Sequence, residues 1–209
     1  MIRAVVSDFG GVLTTPLMQG FARIQADTGV PPEAFGAALR RATATDGRNP
    51  LFELEVGAIT EADFLATLER ELRTILERPV SLHGFGERYM AALDPNEELF
   101  GHYRALHARG VRFAMLTNNV REWEPLWRTK LPVDEIFETV VDSGFVGLRK
   151  PDRAIYAMVL ERLELPAEAC VFVDDLAVNV EAARSLGFAV VHYRDTTQAI
   201  GELDALLPA

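Results

Sequence analysis

The apolar and polar positions of this chain follow two rhythms. The first run, Ile2-Arg3-Ala4-Val5-Val6-Ser7-Asp8, is apolar, partly β-branched and ends on a carboxylate, the pattern of a short buried strand. Gly10 and Gly11 follow it, where a backbone can turn sharply or approach a ligand closely. From about residue 15 to 93 the pattern turns helical in several pieces. Phe21, Ile24 and Gln25 begin one, and Pro31-Pro32-Glu33 opens another with Phe35, Leu39 and Ala42 on one face. Thr60-Glu61-Ala62-Asp63 reads as a capping box before Phe64, Leu65, Leu68, Leu72 and Ile75. Pro79 closes that helix, and His83-Gly84-Phe85-Gly86 reads as a loop or hinge.

The second rhythm begins at Asp94-Pro95-Asn96-Glu97, a helix start with a cap and an N1 proline. Leu99, Phe100, Tyr103 and Leu106 form its apolar face and Gly110 ends it. Strands are then expected at 111–116, 139–141, 170–173 and 188–192. Helices are expected through Trp123 and Trp127, from Pro151 at N1 to about Leu163, up to Gly187, and from about Thr196. Strands alternating with helices predict a parallel sheet covered on both faces. The expected fold is α/β: a three-layer, Rossmann-like core of residues 1–14 and 94–209, with a helical cap, residues 15–93, inserted after the first strand.

Composition narrows the partners. The chain has 209 residues, with 21 basic against 31 acidic side chains and a formal charge of −10. That balance argues against general nucleic-acid binding and against docking on anionic lipid. The single cysteine, Cys170, lies in an apolar run and reads as a buried structural thiol. No apolar stretch reaches the length of a membrane span, and the N-terminal run is too short for a signal sequence. A cytoplasmic setting is the default expectation, and the oligomeric state is not encoded in any visible pattern.

Chemistry gathers where strands end. Asp8 follows the first strand, Thr117 and Asn118 the second, and Asp174 and Asp175 the fourth, while Lys150 precedes the Pro151 helix. In a parallel sheet these points share one edge. Taken singly, Thr117-Asn118-Asn119 reads as a helix cap, Lys150 as a solvated charge and Asp174-Asp175 as a turn. Together they suggest phosphoryl transfer. Asp8 can attack phosphorus, and Lys150 can neutralise phosphoryl charge. The Thr117 hydroxyl and the amides from Asn118 onward can hold phosphate oxygens. Asp8 and Asp175 would repel each other without a cation, and Mg²⁺ suits such oxygen ligands.

The segments Asp8-Phe9-Gly10-Gly11-Val12-Leu13-Thr14, Leu116-Thr117-Asn118-Asn119, Arg149-Lys150-Pro151-Asp152 and Val173-Asp174-Asp175 resemble, in order, the four motifs of the haloacid dehalogenase-like (HAD) hydrolase superfamily. The layout is similar to the branch with a helical cap after the first motif, shared by some sugar-phosphate phosphatases and by phosphatase domains joined to epoxide hydrolases. The resemblance implies Asp8 as nucleophile and metal ligand, Thr117 as phosphate binder, Lys150 as stabiliser of the phosphoryl group and Asp175 as ligand of Mg²⁺. It puts Asp174 behind the metal ligands, with the two aspartates able to exchange roles. Asn179 either orients the metal site or is simply a residue of a first helical turn. One departure stands out. Phosphatases of this family usually carry a second aspartate, a proton donor, two residues after the nucleophile, and here that position is Gly10. Its carbonyl can still ligate a metal. General acid–base help is worth ~10²–10⁴-fold, so its absence weakens hydrolysis of poor leaving groups without abolishing attack.

The expected activity is therefore a Mg²⁺-dependent phosphatase of small phosphorylated metabolites working through an aspartyl-phosphate. The alternatives are a catalytically weak HAD-like binding or regulatory protein and a 2-haloacid dehalogenase. His83, His102, His107 and His192 show no metal-like spacing, although His83 lies near the expected hinge. Trp123 and Trp127 are expected to pack in the core. Nothing distinguishes Arg40, Arg41 or Arg121 as substrate contacts.

Overall fold

A computed structural model describes residues 1–207. The first strand, β1 (Ala4–Ser7), is followed by five helices: α1 (Met18–Thr28), α2 (Pro32–Asp46), α3 (Pro50–Glu55), α4 (Glu61–Leu76) and α5 (Phe85–Ala91). The alternating part then runs α6 (Glu97–Ala108), β2 (Arg112–Thr117), α7 (Glu124–Trp127), β3 (Phe137–Asp142), α8 (Ser143–Val146), α9 (Arg153–Leu163), β4 (Cys170–Asp174), α10 (Ala177–Ser185), β5 (Ala189–His192) and α11 (Thr196–Leu206). All five strands are parallel, in the order β3-β2-β1-β4-β5. The direction of winding reverses between β1 and β4, the kind of switch point beyond which open sheets bind ligands.

Alternation along the strands builds two cores. Val5, Phe113, Met115, Val171 and Val173 face one side, where Tyr103 of α6 and Leu203 of α11 pack. Ala4, Val6, Ala114, Leu116, Cys170 and Phe172 face the other, against Ile155, Tyr156 and Val159 of α9 and Ala183 of α10. Both faces of the central strands are thus apolar, as a parallel sheet covered on two sides requires. Cys170 is buried, and burial pushes its thiol up to about 11. Among the described residues no helix is long and apolar enough to cross a membrane.

The helical insertion is tied to the first core rather than separate from it. Phe35, Leu54, Phe64, Leu68 and Phe85 belong to the same apolar cluster as Val5 and Phe9. Its two connecting strands of chain run side by side: Thr15 N donates to the Asp94 carbonyl at 2.8 Å, and Asn96 N to the Leu13 carbonyl at 2.9 Å. The capping box of α4 is present, with Thr60 accepting from Asp63 N and Asp63 reaching back to Thr60 N.

Several element starts differ from the sequence expectation. Helix α6 is capped by Asn96, whose Oδ1 accepts from Leu99 N at 3.2 Å, while Pro95 pairs with Thr14 outside the helix. The Asn96 amide also donates to the Val12 carbonyl, so the tie to the first loop fixes the start two residues late. Pro151 likewise lies outside α9, because Asp152 is the cap and accepts from Ala154 N. Phe85 and Gly86, expected in a hinge loop, begin α5: burial of Phe85 among aromatic rings draws them into the helix, and only Gly84, at φ 65°, turns the chain. The expected helix through Trp123 and Trp127 is a 3₁₀ turn, Arg121–Trp123, leading into the short α7.

Asp142, at the end of β3, caps α8 by accepting from Gly144 N at 2.9 Å, but its Oδ2 is buried without a partner. Burial pushes its carboxyl from the ordinary 3.8 up to about 6. The folded chain therefore holds more protons than the unfolded one across that interval, and stability falls as pH rises from about 4 to about 6. Asp142→Asn keeps the cap and is expected to remove that slope. In urea unfolding at pH 7 the variant gains up to roughly 3 kcal/mol over the parent, and little at pH 4.

Candidate active site

The strand ends gather the polar residues. Asp8 leaves β1 with its N–H on the Val173 carbonyl at 2.9 Å, so the two central strands fix its backbone. Its Oδ1 accepts from Phe9 N at 2.7 Å and lies 2.8 Å from Lys150 Nζ. The next residues make a tight turn closed by Leu13 N on the Phe9 carbonyl. Gly11, at φ 79°, lies so close to Asp175 that an added Cβ would fall 2.6 Å from its Oδ2. At this position the glycine is required both by conformation and by approach.

Lys150 is the buried centre of the site, with 1% of its surface exposed. Its Nζ reaches Asp8 Oδ1 on one side and Asp174 Oδ2 at 2.7 Å on the other. Its backbone is gripped by Asn118: Lys150 N donates to Asn118 Oδ1 at 2.8 Å, and Asn118 Nδ2 to the Lys150 carbonyl at 3.0 Å. The Asn118 side chain is thus engaged in placing the lysine.

Asp174 ends β4 and is fully buried. Both its oxygens are engaged: Oδ1 accepts from Leu176 N and Asn179 Nδ2, and Oδ2 from Asn179 Nδ2 and Lys150 Nζ. Asn179 therefore orients Asp174. Asp175 is more open, and its carbonyl lies 3.0 Å from His192 Nε2 at the neighbouring strand end. One ligand oxygen from each of Asp8, Asp174 and Asp175 lies within 4.8 Å of the others.

Three carboxylates against one lysine leave the cluster negative. Burial pushes the Asp8 carboxyl up, and Asp174 and Asp175 add to that while Lys150 opposes it. Burial and Asp174 likewise raise Asp175. Burial pulls the Lys150 ammonium down, but Asp174 and Asp8 together outweigh it and lift it. A hard divalent cation with oxygen ligands fits this donor set and would relieve its excess charge.

Beside the strand ends lies a cavity of about 210 Å³ between the helical insertion and the sheet. Gly10, Thr117, Asn118 and Asn119 line its floor, and Leu17, Phe21, Phe35, Phe85, Tyr89 and Trp123 are among its walls. An added Cβ at Gly10 would meet Leu17 Cδ2 at 3.2 Å, so this leucine covers the position where the resemblance leads one to expect an acid. Trp127 packs on Phe9 in the core as expected, at 5.1 Å between ring centroids, and Trp123, buried in the same core cluster, also borders the cavity. Arg40, Arg41, Arg121 and His83 are all exposed and do not line it. Sequence reasoning missed Glu55 at the end of α3. It lines the cavity and holds Arg149, the neighbour of Lys150, at 2.6 Å. Nothing in the local pattern joins residues so far apart in the chain. Leu17, just after a proline, carried no signal either.

Comparisons with known proteins agree with this architecture. A phosphatase of Mycobacterium tuberculosis is 32% identical over 203 residues, covering 89% of this chain and 84% of its own length. Bifunctional epoxide hydrolase 2 of Rattus norvegicus is 26% identical over 217 residues, 97% of this chain but 38% of the relative. The chain thus spans well under half the length of such relatives. A HAD-family enzyme of Bacteroides thetaiotaomicron, solved with magnesium and inorganic phosphate, shares the fold with a TM-score of 0.65 at 20% identity, over 93% of this chain and 95% of that one. The family model of haloacid dehalogenase-like hydrolases matches residues 2–187. The chain belongs to the haloacid dehalogenase-like hydrolase family.

Proposed function

We propose that this chain is a Mg²⁺-dependent phosphatase that forms a phosphoryl intermediate on Asp8. The observation that carries the reading is Lys150 Nζ bridging Asp8 and Asp174 at 2.8 and 2.7 Å beside a third carboxylate. A lysine so buried has a use at a phosphoryl group that a surface charge would not. Asp8, Asp175 and the Gly10 carbonyl would hold the ion, and Asp174, with both oxygens engaged, holds Lys150 instead. When bound, the cation would offset phosphoryl charge that otherwise repels a carboxylate nucleophile.

In this reading the Asp8 oxygen other than the one held by Lys150 and Phe9 N attacks phosphorus. The ester P–O bond breaks, its electron pair goes to the leaving oxygen, and that oxygen takes up a proton from water. Water then attacks the acyl phosphate, releasing inorganic phosphate and restoring the carboxylate. Lys150 and the Thr117 hydroxyl hold the non-bridging oxygens throughout. Gly10 offers no acid to the leaving oxygen, so reactivity should depend steeply on the leaving group. Helices α1–α5 act as a cap over the site, joined to the Lys150 loop by the Glu55–Arg149 pair. The M. tuberculosis relative bears the name of a phosphatase, which supports the reading. The rival is a 2-haloacid dehalogenase, favoured by Gly10 and the apolar cavity. It attacks carbon without a metal and leaves the three-carboxylate cluster unexplained.

With Mg²⁺, p-nitrophenyl phosphate and a panel of sugar phosphates, the wild type is expected to release phosphate, and EDTA to stop it. Asp8→Asn should lower p-nitrophenyl phosphate turnover by more than about a thousandfold. Turnover unchanged in that variant rejects the mechanism. Chloride release from a 2-haloacid that survives EDTA establishes the dehalogenase, and phosphate-ester binding without hydrolysis establishes a binding protein.

Magnesium at about a hundred times its Kd should stabilise the fold by about 2.7 kcal/mol, read as a higher melting temperature that Asp175→Asn loses. Lys150→Met strands two buried carboxylates. It should cost about 3–5 kcal/mol in urea unfolding at neutral pH, a loss that added Mg²⁺ partly restores.

A further inference from the structure

The cavity beside the catalytic edge is walled by hydrocarbon. Phe21, Phe35, Phe85, Tyr89 and Trp123 form a continuous aromatic cluster, with Phe21–Tyr89 at 5.2 Å, Tyr89–Trp123 at 5.5 Å and Phe21–Phe35 at 5.6 Å between centroids. Leu39, Leu51, Leu54, Phe64 and Leu68 complete the wall. Polar side chains in the lining are few: Thr117, Asn118 and Asn119 beside Gly10, with Glu55, the Tyr89 hydroxyl and Trp123, whose Nε1 is buried without a partner. Among the described residues no lysine or arginine lines the space. Its one carboxylate, Glu55, is already held by Arg149. The Tyr89 hydroxyl donates to the Leu17 carbonyl at 3.0 Å.

A sugar placed here would carry several hydroxyls away from water with few partners to receive them, which is unfavourable. A hydrocarbon group would instead exchange water for carbon on nearly every side. A cavity near 150 Å³ lined with apolar side chains holds benzene, so about 210 Å³ suits a group on the order of eight carbons. Leu17, 37% exposed, lies in the wall, so the space reaches the surface there and a longer chain can extend outward.

We propose that this cavity receives the hydrocarbon part of the substrate, which makes the preferred substrates phosphate monoesters of apolar alcohols rather than sugar phosphates. The proposal rests on the phosphatase reading above and specifies its substrate class. The phosphate sits at the strand ends near Asp8 and Lys150, and the alcohol's carbon chain runs from Gly10 toward the rings of α1, α2 and α5. Leu17 then has a function over Gly10: it continues the apolar wall down to the reacting ester.

The test uses the full chain with Mg²⁺. Acetyl phosphate, small and activated, reports phosphoryl transfer by itself. Alkyl monophosphates from ethyl to octyl hold the leaving-group chemistry constant, and glucose 6-phosphate supplies a polar ester of a primary alcohol. The expected kcat/KM rises about three- to fourfold per added methylene, and octyl phosphate exceeds glucose 6-phosphate by at least ~100-fold. Leu39→Gln, on the cavity wall, is expected to flatten the chain-length dependence, read as a lower octyl-to-ethyl ratio of kcat/KM, and an unchanged ratio counts against the cavity assignment. Acetyl phosphate turnover with no chain-length dependence, or with glucose 6-phosphate equal to octyl phosphate, overturns the substrate class and leaves the phosphatase reading intact. Failure to cleave any of these phosphates, acetyl phosphate included, defeats the phosphatase reading itself. Binding then decides the cavity assignment: octylphosphonate held at least tenfold more tightly than ethylphosphonate supports it, and equal affinity overturns it.

Discussion

A buried ammonium held between two buried carboxylates is the constraint around which this molecule is arranged. Removing three charged groups from water is unfavourable, and their mutual attraction offsets that only when the geometry is well fixed. The fold supplies the fixing from four directions. The paired strands β1 and β4 set Asp8 and Asp174, Asn118 grips the backbone of Lys150, and Asn179 holds the Asp174 carboxylate from α10. Apolar residues of similar volume would serve stability as well or better. This costly arrangement sits at the switch point of the sheet, beside a cavity.

The charged cluster also explains why the nearby backbone is so tightly specified. Gly11 leaves room for Asp175, and the turn through Phe9 and Leu13 carries the chain away from the strand end without placing a side chain between the carboxylates. The negative excess of the cluster then sets what can bind. It disfavours an anion unless a cation accompanies it.

Two environments meet at Gly10. On one side lie charges and backbone donors, and on the other the aromatic wall of the helical insertion. The insertion is part of the first core through Phe35, Leu54, Phe64 and Phe85, so the cavity is a gap left within a packed apolar cluster. The Glu55–Arg149 pair spans this boundary and links α3 to the loop that presents Lys150. Any motion of the insertion relative to the sheet therefore acts on a residue adjacent to the lysine.

The sequence by itself determined the parallel α/β core, because strand–helix alternation and two-sided apolar strands leave few other ways to bury these segments. It also determined that Asp8, Thr117, Lys150, Asp174 and Asp175 occur at or beside strand ends, since each directly follows an apolar run or precedes a helix. Helix starts were less legible. Asn96 and Asp152 displaced the expected caps, and Phe85 turned an expected hinge into a helix, because side-chain partners distant in the chain decided where each helix began. The resemblance had put Asp174 behind Asp175, and the tertiary structure added that Asp174 is engaged on both oxygens while Asp175 is more open; only the tertiary structure committed the Asn118 side chain to the lysine backbone. The apolar cavity was equally invisible in the chain. Its walls come from α1, α2, α3, α4, α5 and the turn before α7, and a periodic pattern shows which residues leave water without showing which of them enclose a space.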